Sequence, residues 1–568
     1  MIRAASMPSV HQLTRIAVPG ALFAILGVLI VLPFLTLVYA SFITAPPFSG
    51  NVTQFTFDNY IEIWTPEMMR AVGNTLVVSL GGTAMAVTIG GLLAWLVART
   101  DIPGKAVVHL AGLMPLFVSL IVAALTWSLL GSGRSGYLNI IFSSLGLPFR
   151  IEMQSLWGIV FVHGLYYVPF PFLYLYSALT LVHPDLEEAA AIHGADLPRT
   201  LRRVTFPLVK PALIGSILLL IVLMAEEFPV PQILGGARGV ETLSIRIFNL
   251  MHQVPPASNH ASAVCMVLTA FVGVLVYTQR RILGGRDYRT MTGKGMQSRF
   301  LPLGRLRWVA FGFVLLYMFV AMGLPLLALV ITAFRSNMYV SGLAALVDPG
   351  QFTLKHMHEI MTAPVVYSSL WNSLLAAFWT ALIGGLFYFV LSYVVYRTDL
   401  PGRRALEFLA MVPVALPALV MGLGILWTWA NIPLPVYGTL AILVIAYLGR
   451  FTPQGFRAIS SSIVQIHDDL EQAAMVAGAT KTQAVRLIVW PLMRGGVAAA
   501  LVVLFVLGMR ELTASLFLYT TDTRVLSIVI YEQYENGGWS AVASLSLVYT
   551  VILIILTIVG RRWMRANV

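Results

Sequence analysis

The sequence predicts an all-α polytopic membrane protein, with about twelve transmembrane helices in two parallel halves related by a pseudo-two-fold axis. Three observations lead there. Of the 568 residues, 58% are hydrophobic and 11% charged, with a mean hydropathy of +0.84; a soluble domain is nearer half apolar and a quarter charged. The apolar residues fall in blocks long enough to span a bilayer, about 20 residues each. Finally, one polar segment occurs twice, at an offset of 284 along the chain. The blocks must be helical, because lipid offers backbone N–H and C=O groups no partner.

In the first half the spans are expected at 16–41, 72–98, 106–131, 155–182, 208–232 and 259–279. The second half repeats them at 308–334, 370–396, 405–430, 438–462, 493–518 and 539–560. The first is a retained helix rather than a signal peptide, being too long for one and followed by many more spans. An even count puts both termini on one side, and Arg561, Arg562 and Arg565 after the last span make that side cytoplasmic. The domains expected are thus a first half at 1–279, a basic cytosolic linker at 280–307 and a second half at 308–568. The linker carries eight Lys or Arg, one acid (Asp287) and, among others, Gly284, Gly285, Gly293 and Gly295, a composition suited to a flexible strand near anionic headgroups.

The net charge of +12 raises nucleic acid as a partner, but the Lys and Arg concentrate on the loops placed inside. That is the positive-inside bias, and no nucleic-acid partner is expected. The single cysteine, Cys265, lies in an apolar block, which leaves neither an intramolecular disulfide nor a cysteine metal site.

The repeated segment reads Glu188-Ala189-Ala190, Gly194, Val204, Phe206-Pro207 in the first half and Gln472-Ala473-Ala474, Gly478, Ile488, Trp490-Pro491 in the second, without a gap. Pro184-Asp185 starts a short helix with Glu187 in its first turn, near the positive dipole end; Asp469 and Glu471 do the same in the second copy. Alanines favour helix and keep its surface small, and the glycine ends it. A small rigid helix of this kind can enter a groove on another protein. The repeat extends to Arg99–Lys105 and Arg397–Arg403, each preceded by an asparagine, Asn74 or Asn372. There the offset rises to 298, so the first half is the longer one between these landmarks, an excess assigned to a loop at 132–154.

Charges inside spans are costly and therefore informative. Glu226 and Glu227 are expected near the outer end of the fifth span, and Arg510 and Glu511 in the eleventh, with Glu511 equivalent to Glu227. Arg450 falls in the middle of the tenth span, where pairing within the bundle is favoured over substrate contact. Together they form a candidate substrate pathway with an excess of acid, suited to a cationic or metal-containing solute; a purely structural Arg510–glutamate pair is the alternative. His163, His193, His252 and His260 match no metal-site spacing and are expected to be satisfied or solvated. No metal site, nucleophile–base constellation or catalytic residue is expected.

The pattern EAA-x3-G-x9-I-x-L-P is the signature of type I ABC importer permeases, which this chain resembles over essentially its whole length. Glu188, Ala189, Ala190, Gly194 and Pro207 match it, as do Ala473, Ala474, Gly478, Ile488 and Pro491, while Gln472 replaces the glutamate. The fused halves resemble the Fe(III)-type branch, which also includes thiamine and aminoethylphosphonate systems; Glu227-Phe228, Leu243-Ser244-Ile245, Arg510-Glu511-Leu512 and Leu526-Ser527-Ile528 support this. The resemblance implies a bacterial inner-membrane permease that receives a small solute, ferric iron foremost, from an extracytoplasmic binding protein. Polyamines are a further possible cargo. It also implies that two ATPase subunits dock on the two segments as coupling helices. No Gly-x4-Gly-Lys-Ser/Thr phosphate loop occurs, so ATP and Mg2+ belong to those partners and no cofactor is expected here. The rival class is a secondary transporter of the major facilitator type, which also has twelve spans but does not explain the matched polar helices.

Overall fold

The computed structural model describes residues 10–45, 53–133, 135–182, 184–283, 301–337, 340, 342–346 and 348–566. Residues 284–300 of the expected linker lie outside this set. Among the described residues, backbone pairing beyond the helices and turns is confined to three isolated bridges. Eight helices are long and apolar enough to cross a membrane: Ala17–Ser41, Pro66–Arg99, Leu201–Ala225, Ser258–Ile282, Leu306–Phe334, Pro364–Arg397, Lys481–Arg510 and Trp539–Gly560. Three bent helix pairs raise the number to 11. At the remaining expected position stands Leu440–Gln465, a helix of 26 residues whose apolar run is interrupted by Arg450 and Arg457.

Two expected spans are not straight. Lys105–Phe117 and Leu120–Gly131 meet at 97°, and Arg403–Ala415 and Ala418–Asn431 at 110°. Each first arm ends in a 3-10 turn with a proline, Pro115 or Pro413. Val118 and Leu416 then become extended, which ends the helical ladder before the second arm begins. The 155–182 span bends more gently, by 40°, between Tyr166 and Pro169. The loop expected at 132–154 contains a short helix, Tyr137–Ser144.

The duplication is visible in matched elements. Pro66–Arg99 and Pro364–Arg397 are both 34 residues long, about 50 Å, more than the ~30 Å hydrocarbon core requires. After each, a glycine with positive φ (Gly104, 64°; Gly402, 83°) caps the next helix. Four π-helical turns also come in pairs: Gly27–Val31 with Phe319–Gly323, and Leu201–Thr205 with Val485–Val489. Each runs directly into a helix with proline at its second position: Pro33, Pro325, Pro207 and Pro491. A proline ring collides with the carbonyl four residues back in an α-helix; the wider turn moves that carbonyl aside.

Packing is densest within each half. Pro66–Arg99 lies against Leu156–Tyr166, Pro169–Leu181 and Phe206–Ala225, while Pro364–Arg397 lies against Leu440–Gln465 and Trp490–Arg510. These two core bundles flank the centre. The first helix of each half packs on the last helix of its own half and also reaches the other half: residues 10–41 pack on Arg403–Met411 and Ala418–Asn431, and 306–334 on Lys105–Leu113 and Leu120–Gly131. Thr36 and Thr428 share a 2.8 Å hydrogen bond, Tyr137 and Thr332 one of 2.7 Å. The end of the linker is held as well, Leu303 N–H donating to Asp101 at 2.7 Å and residue 301 pairing with Thr100.

Candidate functional site

Two regions collect the candidate residues. The first is the pair of short helices, Pro184–Ile192 and Asp468–Val476, which hold Glu187, Glu188, Ala189 and Ala190 and, in the second copy, Glu471, Gln472, Ala473 and Ala474. Both end alike. Gly194 and Gly478 take φ of +78° and +95°, and the next N–H closes the turn, Ala195 to Ala190 O at 2.9 Å and Ala479 to Ala474 O at 3.0 Å. A residue with a Cβ is strained in this left-handed region, which is why glycine stands there. The chain restarts on Asp196, whose carboxylate accepts from Arg199 N–H, and on Thr480, which forms a capping box with Gln483. The π turns follow, and then Pro207 and Pro491.

Glu187 and Glu471 do not face outward as docking groups. Glu187 accepts from Thr205 at 2.6 Å and pairs with Arg99 at 3.6 Å. Glu471 is buried and accepts from Tyr393 OH. Arg99 also donates to Val182 O at 2.9 Å. Its counterpart Arg397 binds Ile463 O at 2.8 Å, Ile466 O and Asp468. These groups clamp each short helix to its own half, which leaves the opposite face exposed. Large apolar side chains stand out there in both copies: Leu186 and Leu470 are 47% and 46% exposed, and Ile192 and Val476 are 83% and 88% exposed. These four residues were missed by sequence reasoning; the available signal was that each pair recurs at the same offset as the alanines.

The second region is a cavity of about 270 Å³ between the core bundles, lined among others by Tyr166, Tyr167, Glu226, Glu227, Arg450, Arg510 and Glu511. All five charged pathway residues therefore meet at one place. Glu226 and Glu227 are not within a span: the helix ends at Ala225, and both occupy the break before Pro229–Gly235. Glu511 likewise follows the helix end at Arg510. The two breaks are built alike. Glu227 and Glu511 accept the N–H three residues on, from Val230 at 3.1 Å and Ala514 at 2.9 Å. Their carbonyls accept Ser244 and Ser527 hydroxyls, each at 2.7 Å. Leu243 and Leu526 N–H groups are held by Thr75 and Ser373, and Asn74 and Asn372 clamp the segments just before them.

Of the pairings expected, that of Arg450 within the bundle forms and that of Arg510 with a glutamate does not. Among the described residues Arg510 pairs with no glutamate; it donates to Leu116 O at 2.8 Å and Val118 O at 3.0 Å, carbonyls freed by the bend between Phe117 and Leu120. The ion pair is formed instead by Arg450, which grips both oxygens of Glu226 at 2.8 and 3.3 Å and also reaches Leu416 O. His163, set aside on its sequence spacing, is fully buried and lies 3.1 Å from Glu227. A histidine amid an apolar span was the clue, since a buried polar group needs a partner. Among the described residues no three His, Cys, Asp or Glu side chains converge as a metal centre would need.

The family described as binding-protein-dependent transport system inner membrane component matches at residues 86–286 and again at 396–567. The chain belongs to this family. The permease is thus a fused, two-half, multi-pass inner-membrane protein and the non-catalytic subunit of an ABC importer, not a facilitator-type carrier. It is similar to the ferric transport system permease FbpB of Actinobacillus pleuropneumoniae, at 28% identity over 501 residues, covering 86% of this chain and 70% of that one. A putative ferric transport system permease of Haemophilus influenzae is 29% identical over 472 residues, covering 81% and 72%. A putative 2-aminoethylphosphonate permease of Salmonella typhimurium is 27% identical over 212 residues, covering 37% of this chain and 78% of that one. A bacterial alginate importer of known structure is similar over 46% of the permease, with 15% identity and a TM-score of 0.37, too slight a likeness to carry weight.

Proposed function

We propose that this permease moves ferric iron, free or in a small chelate, into the cytoplasm. The observation that carries the reading is the similarity to two ferric permeases over more than four-fifths of the chain; the phosphonate relative matches only one half's length. The cavity agrees in sign, since three carboxylates stand there against two guanidinium groups, one of which is taken up by backbone carbonyls. An extracytoplasmic binding protein delivers the iron. Two ATPase subunits, which carry the ATP and Mg2+, dock on the exposed faces around Ala189 and Ala473, with both termini on that cytoplasmic side. ATP can shift the permease only if the docked helices bind the open and closed ATPase dimers differently.

The test is uptake of radiolabelled ferric iron by cells with and without the permease. Loss of uptake on deletion, restored by the intact chain, is expected. Unchanged iron uptake, with loss of aminoethylphosphonate, thiamine or polyamine uptake instead, would reject iron as the cargo.

A further inference from the structure

The two core bundles face each other across the central cavity, and its polar contacts divide into two kinds. Glu227 with His163 and Glu511 with Ala514 N–H each lie within one half. They travel with that half whatever the halves do relative to one another. Others cross between the halves: Arg510 of the second half donates to the Leu116 and Val118 carbonyls of the first, and Glu226 forms an ion pair with Arg450, with side chains only 7% and 17% exposed. Any motion that separates the bundles at this level must break these contacts.

The duplication sharpens the point. At an offset of 284, the counterpart of Glu226 is Arg510 and that of Arg450 is Tyr166. The symmetry-related diagonal therefore carries an arginine and a tyrosine, and Arg510 turns to carbonyls instead. The same framework could make two bridges; only one is an ion pair. Glu226 and Arg510 stand at matched helix ends, but Arg450 lies within the unbroken helix Leu440–Gln465 while Tyr166 ends Leu156–Tyr166 at a 40° bend, so the halves place different groups on the two diagonals.

We propose that Glu226 and Arg450 form a latch between the halves: a pair of positioning residues that holds the two core bundles in the conformation described and opens once in each transport cycle. A guanidinium fork on both carboxylate oxygens suits the role, since it is directional and strong in a site shielded from water, yet reversible. The proposal rests on the chain being an importer permease and is independent of which solute it carries, so its test contains no iron.

Cys265 is buried, so cysteines placed at the exposed positions Ile192 and Val476 can be spin-labelled selectively. The distance between the labels reports the separation of the two short helices in the full-length permease in lipid nanodiscs. The latch predicts one dominant distance in the otherwise unaltered chain. Glu226→Gln and Arg450→Gln should each add a second population, the double variant should shift no further than either single one, and the exchange E226R/R450E should return the original distribution. A merely structural pair would give low yield or broadening without a defined second distance, and no rescue by exchange. A distribution unchanged in both single variants, or additive effects in the double variant, would overturn the latch. Should the glutamine variants insert poorly, Arg450→Lys keeps the charge but not the fork, and a partial second population is then expected.

Discussion

Arg99 and Arg397 end the two 34-residue helices at equivalent positions, and both hold a short repeated helix to its own half. Arg99 is 3% exposed, and its hydrogen bond to Val182 O joins a charged donor to a carbonyl that has lost its helical partner. Such a bond contributes about 1.5–3 kcal/mol. Arg99→Ala should therefore lower the thermal stability of the detergent-purified permease measurably, and so should Arg397→Ala. Gln472 is exposed, and Gln472→Ala should change stability by less than about 0.5 kcal/mol while weakening ATPase association, as measured by co-purification. Equal stability losses in all three variants would remove the distinction between clamp and docking face. The recurrence of the pattern made both segments conspicuous in the sequence. That Glu187 and Glu471 serve the fold was not legible there, because neighbouring acids on a helix are sorted only by what packs behind them.

At the scale of elements, the glycines and prolines of the motif carry different duties. Gly194 and Gly478 close their helices at positive φ with open space around them. Proline cannot adopt that angle, so Gly194→Pro and Gly478→Pro should each leave membrane insertion intact but uncouple ATP hydrolysis from uptake in the reconstituted complex. Normal coupling in both variants would count against docking there. The π turn at Leu201–Thr205 holds one residue more than an α-helical turn would. Deleting one residue there would leave an ordinary α turn and bring a carbonyl back against the Pro207 ring, so the purified permease should lose thermal stability. The closeness of the helices is a separate matter. A Cβ at Gly90 would lie 2.8 Å from Val168 O and 3.0 Å from Phe172 N, both backbone atoms. Overpacking of that kind costs typically about 1–3 kcal/mol, so Gly90→Ala should lower purified yield and melting temperature, whereas Gly73→Ala, which meets nothing within 4 Å, should not. Element existence was legible from apolar block length. The two sharp bends were not, because Pro115 and Pro413 inside an apolar run fit a kinked span as well as a broken one.

Over the whole molecule, the reach of each first helix into the other half ties the halves together. With residues 10–41 packed also on the second half and 306–334 also on the first, neither half alone has its full set of packing partners. Chains 1–283 and 301–568, expressed together, should co-purify from membranes, while each alone should be degraded or aggregate. Stable accumulation of either half by itself would contradict this interdependence.

Hydropathy and the gapless duplication by themselves determined the membrane class, the two-fold plan and the paired short helices, because those follow from local composition and from spacing along the chain. Tertiary structure alone decided which charges meet. Arg450 and Glu226 are 224 residues apart, and Arg510 finds carbonyls that become free only once a helix of the other half has bent. Ion pairing depends on distance in space, which a linear pattern does not encode when the partners lie on different halves.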